Sequence, residues 1–428
     1  MIERAVILST GDELTTGRVV DTNSNYLTGK LAEIGIDTVA VLTVGDVPER
    51  LEWAWRTAIG LGDVVLSTGG IGPTADDLTT ETVARIAGRK LRLDQPSLDK
   101  IRSMFKQMTR VMPENNAKQA LFPEGAEIVV NPIGTAPGFR IPITLEGHTS
   151  QVIVLPGVPR EMKPMTEESV IPWLVANRGR DTVFAVRIFQ TYGISESALD
   201  EAVAGLIAPE EGRVAFRASF PQISLRVTVE GRPGAAERKA DELAARVRER
   251  LGEYCYAEGD ETMEGVVSKL LTEKGLRLGV AESCTGGLIS HRLTNIPGSS
   301  RYLIADLVTY SNEAKMGLLG VSAETLESHG AVSEECVVEM AAGARKRLGV
   351  DVAIATSGIA GPDGGTPDKP VGTVCLALAA EGVSVSRRYQ LRAGTRDWVK
   401  LWTSQIALDW IRRHVLGMPI AESNVLRR

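Results

Sequence analysis

The sequence predicts an α/β chain in which two three-layer α/β/α domains are joined by a small α+β module. The chain has 428 residues, roughly two to three times the usual length of a domain, so several hydrophobic cores are expected. Both halves repeat a short apolar run, then glycine or proline, then a helix start, which is typical of a sheet covered by helices. The segment between them shows strict polar and apolar alternation instead.

Composition narrows the classes of function. Apolar residues make up 43% of the chain and charged residues 24%, as in ordinary globular proteins. The formal net charge of −6 argues against broad binding to nucleic acid or to an anionic membrane, because those surfaces attract concentrated basic faces. The start, MIERAVILSTGDEL, lacks the pattern of a signal peptide. No stretch reaches the roughly 18 apolar residues of a membrane helix, so no membrane partner is expected.

The cysteines indicate the compartment. Four cysteines lie far apart, with no Cys-x-x-Cys pair and no histidine at zinc-ligand spacing: Cys255, Cys284, Cys336 and Cys375. This usage predicts a reducing cytoplasm and argues against structural zinc.

Residues 1–172 are predicted to form the first domain. The runs RAVILST, DVVLSTGG and QVIVLPGVP each end in a turn that leads into a helix, which indicates parallel strands. Ligands of such sheets bind outside the carboxyl ends of the strands, where these turns fall.

Residues 178–256 are predicted to form the small module. Leu225, Val227 and Val229 alternate with polar residues, which predicts a strand with one buried face. A helix with one buried stripe is predicted next, from Ala240, Leu243, Ala244, Val247 and Leu251. Between them, the segment Gly231–Gly234 is either a plain turn or the GxxG loop of an RNA-binding KH module. It follows a strand, whereas the KH loop joins two helices.

Residues 260–416 are predicted to form the second domain, and 417–428 a tail. LRLGVAES, VDVAIATSG and GTVCLALA indicate strands, and RDWVKLWTSQIALDWIRRHV indicates a closing amphipathic helix. The segment 356–373, rich in glycine and proline, is long for a connection and is interpreted as a binding loop.

The most informative chemistry lies in AESCTGG. Ser283 and Cys284 end a strand just before a helix, where unpaired main-chain N–H groups and the helix dipole meet. This turn suits a nucleophile with oxyanion donors beside it. The alternative is that Ser283 or Thr285 only caps the helix, while the glycines allow close packing.

The position of Lys315 favours the interpretation of Ser283 as a nucleophile. This lysine follows Tyr310, at the end of another strand, and lies near a helix start, where its charge opposes the dipole. Either it is solvated or it is a neutral base. Serine needs a base, and lysine can supply it. Cys284 is the rival nucleophile, but adjacent extended side chains point in opposite directions, so we expect Cys284 to pack inward.

The first domain holds a second candidate site in STGGIGPTADDLT, residues 67–79. Its main-chain N–H groups could hold a phosphate, with Thr74 capping the next helix. Asp76 and Asp77 could bind a divalent ion bridging a pyrophosphate, as could Asp12 and Glu13. The alternative is that Asp76 and Asp77 only complement the helix dipole.

Several long motifs together resemble the competence/damage-inducible CinA family. AESCTGG, YSNEAK, HGAVSEE and SGIAGPDGGTPDKPVGTV resemble its carboxyl-terminal nicotinamide-nucleotide amidase domain. STGDEL, DTNSNYL, STGGIGPTADDLTTE and LPGVPREM resemble its amino-terminal molybdopterin-binding-like domain, which in some members is an ADP-ribose pyrophosphatase. The resemblance covers nearly the whole chain in the expected order.

The resemblance implies roles for single residues. Ser283 would be the nucleophile, Lys315 its base and Tyr310 a positioning hydroxyl. Ser357 stands where the family commonly has threonine, and Arg396 would hold the substrate phosphate through paired N–H donors. The amidase substrate would contact Cys284, Thr285, Gly286, Gly287, Asn312, Ser357, Gly358 and Arg396. The first domain would bind phosphate through Gly69, Gly70, Gly72, Thr74, Asp76 and Asp77, and a metal through Asp12, Glu13 and Asp77.

The implied activity is hydrolysis of nicotinamide mononucleotide to nicotinic acid mononucleotide and ammonia, without a cofactor. The first domain is expected to hydrolyse ADP-ribose to AMP and ribose 5-phosphate, with a divalent metal. Both substrates are small nucleotides, and a homodimer is expected from the resemblance. The alternative is a non-enzymatic partner protein linked to competence or DNA damage, with vestigial sites. An intact Ser283, Tyr310 and Lys315 set and the absence of a basic cluster favour the enzyme.

Overall fold

A computed structural model describes residues 1–179, 182–391 and 394–420. The fold is mixed α/β, with two sheet-based domains and a small α+β module between them in sequence. The chain divides into two compact units, one made of residues 1–186 and 229–238, the other of residues 187–228 and the described residues from 239 onward. Of the predicted tail 417–428, residues 421–428 lie outside the described residues.

The first domain is built on a six-stranded sheet of order β2-β1-β3-β8-β7-β6. Its first four strands are parallel, and β7 and β6 are antiparallel additions at one edge. The strands of the domain are β1 (Arg4–Thr10), β2 (Asp37–Val44), β3 (Val64–Thr68), β4 (Leu91–Leu93), β5 (Leu121–Pro123), β6 (Glu127–Val129), β7 (Gly138–Leu145) and β8 (His148–Leu155). The helices are α1 (Asp12–Thr15), α2 (Thr22–Glu33), α3 (Pro48–Leu61), α4 (Thr79–Ile86), α5 (Gln95–Gln107), α6 (Pro159–Met165) and α7 (Ile171–Asn177).

Both faces of this sheet are buried, as the unbroken apolar runs predict. Val6 and Leu8 of β1 point to one face, where they pack with Trp55 of α3. Ala5 and Ile7 point to the other face, where α2 and α6 cover them. Alternate residues of one strand therefore pack into two different hydrophobic cores, one on each face of the sheet, and the domain has three layers.

The small module is a four-stranded sheet of order β10-β11-β9-β12 with two helices. Its elements are β9 (Val183–Thr191), α8 (Glu196–Val203), β10 (Arg213–Ser219), β11 (Gln222–Gly231), α9 (Ala235–Leu251) and β12 (Cys255–Glu258). The predicted apolar positions of β11 and α9 are all buried. The segment Gly231–Gly234 joins β11 directly to α9, so it connects a strand with a helix rather than two helices.

The second sheet-based domain has five strands in the order β14-β13-β15-β16-β17. The first three are parallel and the last two antiparallel. The strands are β13 (Leu278–Glu282), β14 (Leu303–Val308), β15 (Val352–Gly358), β16 (Thr373–Ala380) and β17 (Val383–Gln390). The helices are α10 (Met263–Lys274), α11 (Leu288–Thr294), α12 (Asn312–Ala314), which continues into a π-helical turn (Lys315–Leu319), α13 (Ala323–His329), α14 (Glu334–Leu348) and α15 (Arg396–Val415).

This sheet also separates two cores. Val280 and Ile354 face α10, α11 and α15, whereas Ala281 and Ala355 face α14. The carboxyl ends of the three parallel strands meet at one edge, which gathers the turns after β13, β14 and β15.

The prediction that α15 is amphipathic is wrong. Every residue from Thr403 to Arg413 is buried, so the middle of the helix has no solvent face. Its buried charges are paired: the Asp409 carboxylate accepts hydrogen bonds from Arg412 and Arg413 at 2.9 and 2.8 Å. A helix buried on all sides needs such pairing, because an unpaired buried charge is costly. None of the described helices has the length and apolar character needed to cross a membrane.

Candidate active sites

The nucleophile candidate Ser283 lies directly after β13. Its main-chain N–H donates to the Thr356 carbonyl of β15 at 3.0 Å, which ties the turn to the sheet. Gly286 and Gly287 follow with φ of 62° and 90°, in the left-handed region where a side chain would be strained. The two glycines allow the chain to turn sharply and begin α11 within a few residues of Ser283.

Lys315 reaches back from the next helix to this turn. Its Nζ lies 3.1 Å from Ser283 Oγ, 2.8 Å from the Thr309 carbonyl and 3.4 Å from the Tyr310 carbonyl. The lysine is 1% exposed, and burial lowers the pKa of its amino group. A neutral amine has two hydrogens, which suit the two carbonyls, and a lone pair left for the serine hydroxyl. The geometry therefore fits a base acting on Ser283.

The Cys284 side chain packs inward, as predicted, and the Thr285 side chain is buried as well. Cys284 is buried in the core with α10 and α15, and burial raises the pKa of its thiol to about 12. The Thr285 hydroxyl is buried against that of Thr356 at 2.8 Å. In the described chain their main-chain N–H groups have no hydrogen-bond partner, so these two residues can offer main-chain donors only.

Tyr310 and Arg396 are joined by a hydrogen bond between their side chains. The Arg396 guanidinium donates to Tyr310 Oη and to the Gly361 carbonyl, each at 2.8 Å. Arg396 is the first residue of α15, whose start is capped by Thr395. Because a guanidinium has five N–H donors, the two contacts fix its plane and leave donors for an anion.

The remaining predicted amidase residues are more peripheral. Ser357 is buried, and its hydroxyl donates to the Ala331 carbonyl at 2.6 Å. Gly358 packs against the Cys284 thiol, since a Cβ there would lie 3.1 Å from Sγ. Asn312 is exposed at the start of α12 and makes no side-chain hydrogen bond to the other described site residues. The structure thus brings Ser283, Lys315, Tyr310 and Arg396 together but turns the Ser357 side chain elsewhere.

Sequence reasoning missed an acidic pair under the nucleophile turn. Glu282, fully buried, accepts hydrogen bonds from the main-chain N–H groups of Gly287, Ile289 and Ser290 at 2.9, 2.9 and 3.2 Å. Asp306 of β14 lies beside it and accepts from the Ser290 hydroxyl. Burial and the neighbouring Glu282 raise the pKa of Asp306 to about 7. The signal was available: Glu282 is an acid inside an apolar strand run.

Lys400 was also missed. A Cβ on Gly286 would lie 3.9 Å from its Nζ, so the ammonium lies over the nucleophile turn. Lys400 is one helical turn after Arg396, and residues four apart lie on the same helix face. The two cations therefore stand at the start of α15 next to the turn that carries Ser283.

The first domain has a cavity of about 580 Å3 at the carboxyl ends of β1, β3 and β8. This volume is in the range of small-molecule sites. The cavity is lined by Thr10, Gly11, Glu13, Asp46, Gly69, Gly70, Ile71, Gly72, Pro73, Asp76, Asp77, Gln119, Thr135, Ala136, Pro156, Gly157, Val158, Pro159 and Glu161. Five of the six residues predicted to bind phosphate are among them, and Thr74 is not.

The predicted role of Thr74 as a helix cap is wrong. Its N–H and hydroxyl both donate to Asp77 Oδ2, and α4 begins only at Thr79. The hydrogen bonds between Thr74 and Asp77 stabilise a local turn, and the helix begins only after it. Asp76 and Asp77 therefore precede the helix rather than occupy its first turn.

The predicted metal ligands do not converge. The Asp12 carboxylate accepts the main-chain N–H of Asp46 at 3.1 Å and does not line the cavity, whereas Glu13 and Asp77 do. Among the described residues, no group of three or more His, Cys, Asp or Glu is arranged to hold a metal ion. The set of Asp12, Glu13 and Asp77 therefore does not fit a protein-built metal site.

Two other groups of the cavity stand out. Asp46 is a lining residue that the sequence did not suggest, and burial raises the pKa of its carboxyl, helped by the nearby Asp12, Glu13 and Asp76. Gln119 is buried, and its Oε1 has no hydrogen-bond partner among the described residues. A buried acceptor without a partner is costly, so this oxygen is suited to a ligand N–H or O–H.

Family models match three consecutive parts of the chain. "Probable molybdopterin binding domain" matches residues 6–176, "Damage-inducible protein CinA KH domain" residues 186–257, and "CinA C-terminal domain" residues 260–415.

Two relatives align with this chain over nearly their whole length, and a solved structure aligns with part of it. A CinA-like protein of Geotalea uraniireducens is 42% identical over 417 residues, covering 97% of this chain and 98% of the relative. A CinA-like protein of Geobacter sulfurreducens is 44% identical over 412 residues, covering 96% and 98%. A solved structure of a competence/damage inducible protein from Agrobacterium tumefaciens is 41% identical, covers 34% of this chain and 90% of its own, and has a TM-score of 0.34. The predicted resemblance is confirmed, and the chain belongs to the CinA family.

Proposed function

We propose that the second sheet-based domain is an amidase that hydrolyses nicotinamide mononucleotide to nicotinic acid mononucleotide and ammonia. The observation that carries the proposal is the 3.1 Å contact between Ser283 Oγ and the buried Lys315 Nζ. Serine is a weak nucleophile without a base, and burial lowers the pKa of this amine. Among the described residues, Lys315 is the only buried lysine.

The proposed chemistry has two stages. Lys315 takes the Ser283 proton while Oγ attacks the carboxamide carbon, and the protonated lysine then gives a proton to the leaving ammonia. Lys315 next takes a proton from water, whose oxygen attacks the acyl carbon. The bond from that carbon to Ser283 Oγ breaks, Lys315 returns the proton to Oγ, and the acid is released. The cationic pyridinium ring withdraws electrons and makes the carbonyl more reactive. Its developing oxyanion would be stabilised by the free N–H groups of Cys284 and Thr285, and one such donor is worth about 100-fold or more in rate.

The substrate phosphate is assigned to the start of α15. Arg396 is held by Tyr310 and Gly361 and keeps donors available, and Lys400 adds a second positive charge nearby. A planar guanidinium pairs well with a phosphate. Tyr310 acts as a positioning residue, because its hydroxyl orients Arg396 and its carbonyl contacts Lys315.

The amidase is tested by ammonia release from nicotinamide mononucleotide with purified wild-type protein, Ser283→Ala and Cys284→Ala, all checked for folding. We expect activity in the wild type and in Cys284→Ala, and its loss in Ser283→Ala. Loss of activity in Cys284→Ala, with activity retained in Ser283→Ala, would identify Cys284 as the nucleophile instead of Ser283. No ammonia from the wild type would favour the alternative of a non-enzymatic partner protein.

We further propose that the first domain hydrolyses ADP-ribose to AMP and ribose 5-phosphate. The cavity of about 580 Å3 supports this, because its glycine loops suit a phosphate and a half-buried carboxyl, Asp46, could act on water. The test is AMP formation from ADP-ribose without metal and with a panel of divalent metals. AMP under none of these conditions would contradict the proposal.

A further inference from the structure

An aromatic side chain of the small module, Phe220, is one of its contacts with α15, in addition to the ion pair of Glu253 with Arg413. Phe220 lies at the tip of the β10–β11 hairpin, and its ring stacks on Trp398 with centroids 4.2 Å apart and planes 16° apart. Trp402 meets the same ring edge-on at 5.2 Å. All three residues belong to one compact unit. The contact is therefore an internal packing feature of that unit.

Trp398 occupies the turn of α15 that carries the proposed phosphate ligands. It lies between Arg396 and Lys400, and its main-chain N–H meets the capping hydroxyl of Thr395 at 3.4 Å. On the other side, a Cβ at Gly394 would lie 3.1 Å from the Trp398 Cβ. The tryptophan thus touches both the cap and the segment that leads into the helix.

Among the described aromatic residues, Phe220 makes the ring contact of this tryptophan. Trp398 is 51% exposed even with Phe220 in place, whereas Thr403 to Arg413 of the same helix are buried. In the first turn Val399 is buried in the core and Arg396 is bonded to Tyr310 and Gly361. The half-exposed Trp398 side chain is the part of this turn that the hairpin tip contacts.

We infer that the hairpin tip of the small module positions the phosphate-binding turn of the amidase site, with Phe220 and Trp398 as positioning residues. Arg396 contacts Tyr310 Oη and the Gly361 carbonyl at 2.8 Å, so a shift of about 1 Å in the first turn would break both contacts, and misplacement of that size is costly for a bound substrate. The inference rests on the proposed amidase and gives the small module a role in it.

The test compares Phe220→Ala with the wild type on two substrates. We expect the KM for nicotinamide mononucleotide to rise about three- to tenfold, the range that corresponds to one aromatic pair. We expect kcat to change less than about twofold, because Ser283 and Lys315 are untouched. With nicotinamide riboside, which lacks the phosphate, kcat/KM should be the same in both proteins. A general loss of folding would instead lower the activity on both substrates.

Two further variants serve as controls. Phe220→Tyr keeps the stacked ring and should restore the wild-type KM. Phe216→Ala removes a ring from β10 of the same hairpin that makes no ring contact among the described aromatic residues, and it should leave KM unchanged. An unchanged KM in Phe220→Ala, or an equal rise in Phe216→Ala, would overturn the inference.

The inference can fail separately from the amidase. If the wild type releases no ammonia, the proposed function fails, and binding of inorganic phosphate measured by calorimetry decides the inference. Weaker binding by Phe220→Ala than by the wild type supports it. Equal affinity, or no binding by the wild type, contradicts it.

Discussion

The proposed amidase mechanism depends most on the amino group of Lys315. This group is buried, it faces Ser283 Oγ, and its two other neighbours are carbonyl oxygens. Burial disfavours the charged amine, so the base is present at a lower pH than for a solvated lysine. Ser283 and Lys315 could be named from the sequence because each follows a strand that ends at the same sheet edge.

We predict that Lys315→Met lowers kcat by about 100-fold or more, as expected for loss of a general base. In the wild type, kcat/KM should rise with pH as the amine loses its proton, with a midpoint below 10.5, the ordinary pKa of lysine. Steady-state ammonia release across a pH series measures both. Lys346→Met removes an exposed lysine of α14 and is the matched control. A wild-type rate in Lys315→Met would exclude this base.

Asp306 predicts a pH dependence of stability. Its folded pKa is raised to about 7 from 3.8, so the native state holds a proton that the unfolded chain releases. Stability from this group is complete below about pH 4 and is lost as pH rises through about 7. We expect the Tm of the wild type to fall between pH 5 and pH 8 by more than that of Asp306→Asn, which mimics the protonated carboxyl. The exposed Asp363→Asn should follow the wild type, and parallel curves for all three would contradict the assignment.

At the scale of elements, the strands were predictable and the buried helix was not. Continuous apolar runs such as RAVILST have one interpretation in a sheet covered on both faces. The polar residues of α15 have two interpretations, because Asp409 and Arg413 fit a solvent-exposed face and a buried ion pair equally well. Only the elements that pack around α15 decide between them. The same applies to Thr74, whose bond to Asp77 competes with the helix cap that its spacing suggested.

We predict that Asp409→Asn destabilises the protein by about 3 to 5 kcal/mol, the usual cost of breaking a buried ion pair. Asp409 is 2% exposed and faces both Arg412 and Arg413, so the substitution leaves two buried guanidinium groups without their shared carboxylate. Urea unfolding followed by circular dichroism measures the loss. Asp260→Asn, on an exposed carboxylate, should change the free energy of unfolding little. Equal stabilities of the two variants would refute the claim.

At the scale of the whole molecule, the two candidate sites have separate cores and separate chemistry. The first site lies at the carboxyl ends of β1, β3 and β8, and the second at those of β13, β14 and β15. Both positions follow from the parallel topology that the sequence predicted. The contact of Phe220 with Trp398 could not be predicted from the sequence. The two residues are 178 positions apart, and no sequence pattern indicates that a hairpin tip will pack on a particular helix start.

We predict that the two activities are separable in one chain. Ser283→Ala should form AMP from ADP-ribose at the wild-type rate while releasing no ammonia. Asp46→Asn, in the first cavity, should release ammonia normally and form AMP more slowly, because a carboxyl that lines the cavity with the glycine loops is lost. Measuring both products in both variants tests this. Loss of both activities from either substitution would mean that the sites depend on each other.

The central claim is that Ser283 forms a covalent acyl intermediate with the substrate. Hydroxylamine trapping tests it most directly, because hydroxylamine competes with water for an acyl-serine ester and yields a hydroxamate. With nicotinamide mononucleotide, the wild type should form the hydroxamate of nicotinic acid mononucleotide in proportion to hydroxylamine, and Ser283→Ala should form none. Ammonia release with only the free acid as product at every hydroxylamine concentration, or hydroxamate formation by Ser283→Ala, would contradict the account.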